Sequence, residues 1–242
     1  MPTNHFLNHL GTRLLGPPTP RLGTRLRTGV KLLVIVEGKH DLAFLRTISR
    51  ILHADDPTLP DLGELERAGA LVVLPIGGGD LLAWAARMAA LGLPEFHLLD
   101  REVPPATERR QQAVEIVNQR PNCRAYLTRK RALENYLHPR AVKEVSMLEL
   151  TFGDDDDVAD MVARACFERQ DHELAWEELP GRAKKRCRET AKRWLNRQAV
   201  ERMTVEMLDE RDPEGEVMGW LEAIGEMVAG RCRPYRRPNA IT

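Results

Sequence analysis

The sequence predicts an α/β fold: a small parallel sheet flanked by helices, with a helical appendage at its C-terminal end. Three observations predict it. Short apolar runs occur at Leu32–Val36, 72–76 and 96–99, with the length and β-branched content of strands buried on both faces of a parallel sheet. Between the second and third of these, LLAWAARMAALGL (81–93) has the apolar spacing of a helix. Past Gly153 the pattern is helical: residues 158–167, 182–203 and 217–228 carry apolar residues three to four apart, separated by Pro180 and by Asp212-Pro213.

Taken in chain order, residues 1–29 contain Gly16-Pro17-Pro18 and four arginines from Arg13 to Arg27. That is the composition of a flexible basic arm able to touch nucleic acid, not of a core element. Residues 30–150 hold the sheet and 151–242 the helical region. The first strand runs into Glu37, and Gly38 permits a tight turn. From Asp41 a helix is predicted, because Leu42, Leu45, Ile48, Ile51 and Leu52 recur at helical spacing. Ligands of open α/β sheets bind beyond the carboxyl ends of the strands, so Glu37 and Asp41 are expected to face one site.

The run 72–76 is the next strand. Gly77-Gly78-Gly79-Asp80 reads as a close-packed turn with Asp80 as a cap, since it lacks the Lys-Ser/Thr ending of a P-loop. Asp100 and Glu102 leave the third strand two residues apart, hence on one side of an extended chain. A last strand at 125–128 then delivers Arg129, Lys130 and Arg131 to the same sheet edge, where they are expected to meet a phosphate. Glu134 lies just beyond them.

Carboxylates at this density repel one another, and a hard divalent cation such as Mg²⁺ relieves the repulsion while keeping waters for chemistry. Each acid also has a plainer reading. Glu37 would be part of a turn after a buried strand, Asp41 a helix N-cap, Asp100 and Glu102 an exposed loop, and Glu134 a partner of Lys130 or Arg131. His40 and His138 flank these segments and read as surface or supporting residues.

Taken together, these segments resemble the TOPRIM family. Glu37 with Gly38 looks like that family's first-strand glutamate, and Asp100-Arg101-Glu102 like its Asp-x-Asp element. Val36-Glu37-Gly38 with Asp41 is similar to the Val-Glu-Gly-x-x-Asp motif of the OLD-type (overcoming lysogenization defect) nucleases, and Leu133-Glu134-Asn135-Tyr136-Leu137 to their Glu-Asn-Tyr-Leu segment. The resemblance covers roughly residues 30–142. Glu102 departs from it, because aspartate is usual there and the longer side chain shifts where a metal would sit.

The resemblance implies a Rossmann-like TOPRIM sheet and a metal-dependent nuclease. Glu37, Asp41, Asp100, Glu102 and Glu134 would hold one or two Mg²⁺ or Mn²⁺ ions, with Lys130 beside them in the catalytic set. Nucleic acid would be bound by Arg129, Lys130 and Arg131, and by Lys184, Lys185 and Arg186 on the basic helical stretch. Such domains are commonly fused to, or encoded beside, an ABC-type ATPase, often in phage defence. This sequence has no Walker motif, so a separate nuclease subunit with an ATPase partner is expected. Two alternatives stand beside this: a catalytically weak TOPRIM module that binds or regulates, and an RNA-maturation nuclease of the RNase M5 type. DNA and RNA substrates are not separated, nor is an oligomeric state indicated.

Composition sets the outer bounds. No apolar stretch of the sequence is long enough to span a bilayer and no signal-peptide pattern is present, so the cytoplasm is the expected location. Cys123, Cys166, Cys187 and Cys232 lack metal-binding spacing and read as reduced thiols. The net charge of zero hides alternating blocks. Residues 1–53, 103–143 and 181–202 are basic, whereas 54–102, 144–180 and 203–230 are acidic. Such blocks favour complementary contacts, or a basic face for nucleic acid beside an acidic face, including Asp154 to Asp157, for a protein partner.

Overall fold

A computed structural model describes residues 29–77, 81–170 and 174–231. The basic arm to residue 28 and the Gly78-Gly79-Asp80 part of the glycine turn lie outside the described residues. The four strands are β1 (Leu32–Val36), β2 (Leu71–Pro75), β3 (Glu95–Leu99) and β4 (Cys123–Leu127), all parallel in the order β2-β1-β3-β4. β1 and β3 are central and buried along their whole length; β1 accordingly reads as a continuous apolar run, while β3 buries Glu95 against His97 at 2.7 Å and Arg120 at 2.9 Å. The edge strands β2 and β4 are only partly buried.

Alternation along β1 divides the core. Leu32, Val34 and Val36, with Phe96 and Leu98 of β3, pack against Phe44, Leu45 and Ile48 of α1 (Lys39–Asp55). α2 (Leu62–Arg67) follows, begun by the Asp61 carboxylate, which accepts the Gly63 and Glu64 N–H groups at 2.8 and 3.1 Å. On the opposite face Leu33 and Ile35 meet Trp84 and Met88 of α3 (Leu81–Ala89). There Leu99 and Ala125 meet Ala113, Val114 and Val117 of α4 (Ala106–Asn118).

The C-terminal helices are α5 (Pro139–Ser146), α6 (Val158–Glu168), α7 (Gly181–Trp194), α8 (Val205–Arg211) and α9 (Glu216–Val228). Instead of one helix over 182–203, α7 passes into a π-helical turn at Leu195–Ala199 and a 3₁₀ turn at Val200–Arg202. Leu195, Val200, Trp220 and Ile224 belong to the same buried cluster as β1 and α1. The core therefore runs without a break across position 150. Trp220 sits edge-on to Tyr136 with centroids 5.3 Å apart.

Charge complementarity between the sequence blocks is satisfied within the chain. Asp154 pairs with Lys130, Asp155 with Arg101, and Asp157 with Arg131 and Arg188. Arg124 pairs with Glu226 and Arg140 with Glu210. The acidic run 154–157 forms a clasp between the loops after β3 and β4 and the C-terminal helices. Among the described residues no helix is long and apolar enough to cross a membrane.

Candidate active site

The strand order reverses its winding between β1 and β3, and in open α/β sheets the ligand crevice lies outside the strand ends at such a reversal. Glu37 follows β1 directly and Asp100 follows β3. The Asp100 backbone N–H donates to Glu37 Oε1 at 2.9 Å. Strand parity then separates the two side chains. Glu37 continues the Leu33–Ile35 face and is held by the Arg110 guanidinium from α4, which also donates to the Asp100 carbonyl at 2.6 Å. Asp100 continues the Phe96–Leu98 face toward α1.

Asp41 is the third residue of α1, and Gly38 holds the cap position. The Asp41 carboxylate reaches back to accept the Gly38 N–H at 2.8 Å, half of a capping box. It is 8% exposed. Glu134 lies in the 3₁₀ turn Leu133–Tyr136 and is 2% exposed. Its Oε1 accepts from Asn196 Nδ2 at 2.7 Å and stands 3.8 Å from Lys192 Nζ. Asp100 Oδ1 accepts the Leu133 N–H at 3.1 Å, which ties this turn to the end of β3.

Three acids from three elements therefore lie near one another, with the Lys192 ammonium beside Glu134. Burial, then the Glu134 charge, pushes Asp41 up to about 6, against the Gly38 hydrogen bond. Burial, then Asp41 and Glu134, raises Asp100 well above the usual carboxylate range. The Glu134 charge foremost, with Asp100 and Asp41, raises Lys192 despite its burial. Lys192 comes from α7, and Asn196 from the π-helical turn just beyond it, where Nδ2 also donates to the Lys192 carbonyl at 3.1 Å. π turns inside helices frequently mark functional sites.

Glu102 departs from the expected strand alternation. Its φ is +57°, so the chain has already turned, and its N–H donates to the Arg131 carbonyl at 2.8 Å. Its side chain is 30% exposed and lies 3.7 Å from Arg131 Nε. The basic trio also departs from expectation. Arg129 is held by Glu214 and Glu216, Lys130 by Asp154 and the Tyr136 ring, and Arg131 by Asp157. Arg129 and Lys130 are neutralised by acidic blocks distant in sequence, whereas Arg131, paired with Asp157, also lies 3.7 Å from Glu102 and lines a small pocket with Glu134 and Lys192.

On α7, Lys184 Nζ donates to the Glu177 carbonyl at 3.0 Å and lies over Trp176. Arg186 borders a groove beside α6. Lys185 is exposed and lies two turns before Lys192, on the same side of the helix. His40 is buried beside Asp41, its Nε2 3.9 Å from Glu189. His138 caps α5 through Nδ1 and meets Glu210 through Nε2.

Among the described residues, no three acidic, imidazole or thiol groups are arranged as ligands around one point. The five-acid ligand set is thus not assembled. Glu37 is held by Arg110, Glu102 lies 3.7 Å from Arg131 and lines a small pocket with Glu134 and Lys192, and Lys192 stands where a cation would. The donors themselves suit a hard cation, being carboxylate oxygens with raised proton affinity. Sequence reasoning missed Arg110, Lys192 and Asn196 as parts of this site. The i, i+4 spacing of Lys192 and Asn196 was the available signal that both share a face.

The metal-free protein is expected to lose stability as pH rises through this site's range. Asp41 titrates near 6 in the fold and near ~3.9 unfolded, so the folded state binds the proton more tightly. Its contribution is full below about pH 4 and lost above about pH 6, roughly 2 to 3 kcal/mol in all. Melting in EDTA at pH 5 and pH 7 checks this against Asp41→Asn, in which the difference should shrink. An undiminished difference in the variant would assign the dependence to other groups.

Comparison with solved structures gives the fold. The chain is similar to the C-terminal region of the Burkholderia pseudomallei OLD protein, with a TM-score of 0.50 and 14% identity over 83% of this chain and 100% of that one. The C-terminal region of the Xanthomonas campestris pv. campestris OLD protein gives a TM-score of 0.47 and 13% identity, covering 83% and 96% of the two chains. No family model and no curated protein matches the sequence. The four-stranded parallel sheet with helices on both faces is the Rossmann-like TOPRIM fold.

Proposed function

We propose that this chain, built on the TOPRIM fold, is a metal-dependent nuclease hydrolysing phosphodiester bonds of DNA or RNA in the cytoplasm. The observation that carries the reading is the meeting of Asp41, Asp100 and Glu134 around Lys192 at the carboxyl ends of β1 and β3. The resemblance to the OLD-type motifs supports it. Asp41, Asp100 and Glu134 would hold Mg²⁺ or Mn²⁺, with Glu102 and Glu37 at the rim to complete the set. When bound, such an ion polarises the phosphoryl oxygen and lowers the pKa of water.

The chain's own groups supply the rest. The Lys192 ammonium, released from the acids, is placed to neutralise a non-bridging phosphate oxygen. Arg110 holds Glu37 against the end of β3. Lys185 and the arginines of residues 13–27 offer phosphate contacts outside the pocket. An ABC-type ATPase that restrains or activates the nuclease in phage defence belongs to the same proposal.

A second reading is favoured by the same pocket: with Lys192 neutralising the acids and Arg110 holding Glu37, the domain binds nucleic acid without cleaving it. Incubation with plasmid DNA and total RNA in Mn²⁺, Mg²⁺ or EDTA separates the two. Cleavage is expected with either ion and none in EDTA. Mn²⁺ should also raise the melting temperature, a shift absent from the Glu37→Ala/Asp100→Ala double variant, because only a state containing the site gains from the ion. Retention of nucleic acid without cleavage in every condition selects the binding module. Cleavage confined to RNA selects the RNA-maturation role.

A further inference from the structure

The side of α7 away from the acids borders an open groove of about 900 Å³ shared with α6. Arg188 points to Asp157 and Lys192 to Glu134, whereas Cys187 and Trp194 line the groove, and at 100° per residue the two pairs lie about 130° apart around one helix. The floor is apolar, built from Val162, Phe167, Leu179 and Trp194. Arg186, Arg193 and Arg197 border it, all exposed. Spaced seven and four residues apart, they form one stripe about 16 Å long, close to three helical turns.

Among the described residues many arginines are engaged by carboxylates; Arg188, on the same helix, holds both Asp157 and Asp160. Among the described residues Arg186, Arg193 and Arg197 have no carboxylate partner. An apolar floor beside unpaired cations is complementary to an apolar stripe flanked by acids. The chain's own ends do not have that chemistry: residues 1–28 contain four arginines and 232–242 three, with no acid in either.

A small anion would engage one or two neighbouring arginines, not a stripe three turns long. A nucleic-acid strand would match the cations and could stack a base on Trp194, but Phe167 is already packed against Trp176 at 5.6 Å and Val162 and Leu179 offer bases no platform, so an oligonucleotide is the competing occupant in the test. We propose that this groove seats an amphipathic helix of a partner protein, its apolar residues on Val162, Phe167, Leu179 and Trp194 and its acidic flank on the three arginines. This is the helix-in-groove mode of recognition. The site is separate from the acid cluster and stands whether or not the nuclease reading holds.

Cys166, exposed on the α6 wall of the groove, reports occupancy. Two synthetic 14-residue helices are compared on the intact chain, both with leucines at i, i+3, i+4 and i+7, one flanked by glutamates and one by lysines. The glutamate peptide is expected to slow maleimide labelling of Cys166 at least tenfold, read at that residue by peptide mass spectrometry. Protection should vanish in Arg193→Glu/Arg197→Glu, whose exposed positions leave the core and the melting temperature untouched. No protection by the glutamate peptide, equal protection by the lysine peptide, or stronger protection by single-stranded oligonucleotide would overturn the proposal.

Discussion

Asp100→Asn is expected to lower nuclease activity on the order of 10³-fold or more and, in the same protein, to raise the metal-free melting temperature. The two effects share one cause. Asp100 is fully enclosed and repelled by Asp41 and Glu134, so its charge is costly without a metal and necessary with one. Asparagine keeps the oxygen that accepts the Leu133 N–H and drops the charge. Relief of the repulsion should stabilise by about 1 to 2 kcal/mol, a rise of a few degrees for a chain of this size. Hydrolysis assays and melting in EDTA read the two arms. Retained activity would remove Asp100 from the ligand set, and a lower melting temperature would show that its charge is structurally required.

Lys192→Met carries the opposite sign. Removing the ammonium leaves Asp41, Asp100 and Glu134 facing one another with no cation among them, and breaking a buried pair in this way costs about 3 to 5 kcal/mol. The metal-free variant should therefore melt roughly ten degrees below the wild type. A divalent ion can take over the ammonium's role. At a hundred times its dissociation constant, Mn²⁺ would restore about 2.7 kcal/mol, so most of the loss should return in millimolar Mn²⁺ and none in millimolar K⁺. Equal melting with and without Mn²⁺ would place metal binding elsewhere. An undiminished melting temperature in EDTA would mean that Lys192 does not neutralise the acids.

The fold was legible where burial is two-sided. β1 reads as a continuous apolar run and β3 through Phe96, Leu98 and Leu99 because each is covered on both faces, and the helical spacing after Asp41 gave α1 to within two residues of its start. α4 was not identified because only Ala113, Val114 and Val117 of ATERRQQAVEIVN are buried, too few to set a period. The site was half legible. Residues 37, 41, 100 and 134 were placed at the correct sheet edge, since position at a strand end follows from the chain order. Which of them face one another depends on parity and turns. Glu37 fell on the far face, with Arg110, and the left-handed backbone at Glu102 broke the two-residue alternation assumed from sequence. Lys192 and Asn196 arrive through tertiary packing of a helix that sequence marks only as basic. The partners of Arg129, Lys130 and Arg131 lie 24 to 87 residues away, beyond any local pattern.

The position of Lys192 in the chain has a consequence for synthesis. Ribosomes make Asp41, Asp100 and Glu134 first, and the lysine that balances them leaves the exit tunnel only after a long further stretch of translation. Until then the nascent sheet edge carries an acid cluster without its built-in counter-charge and without the C-terminal half of the core. A truncated or stalled product ending before α7 would therefore expose an uncompensated anionic pocket, prone to capture free divalent ions and to recognition by quality-control proteases.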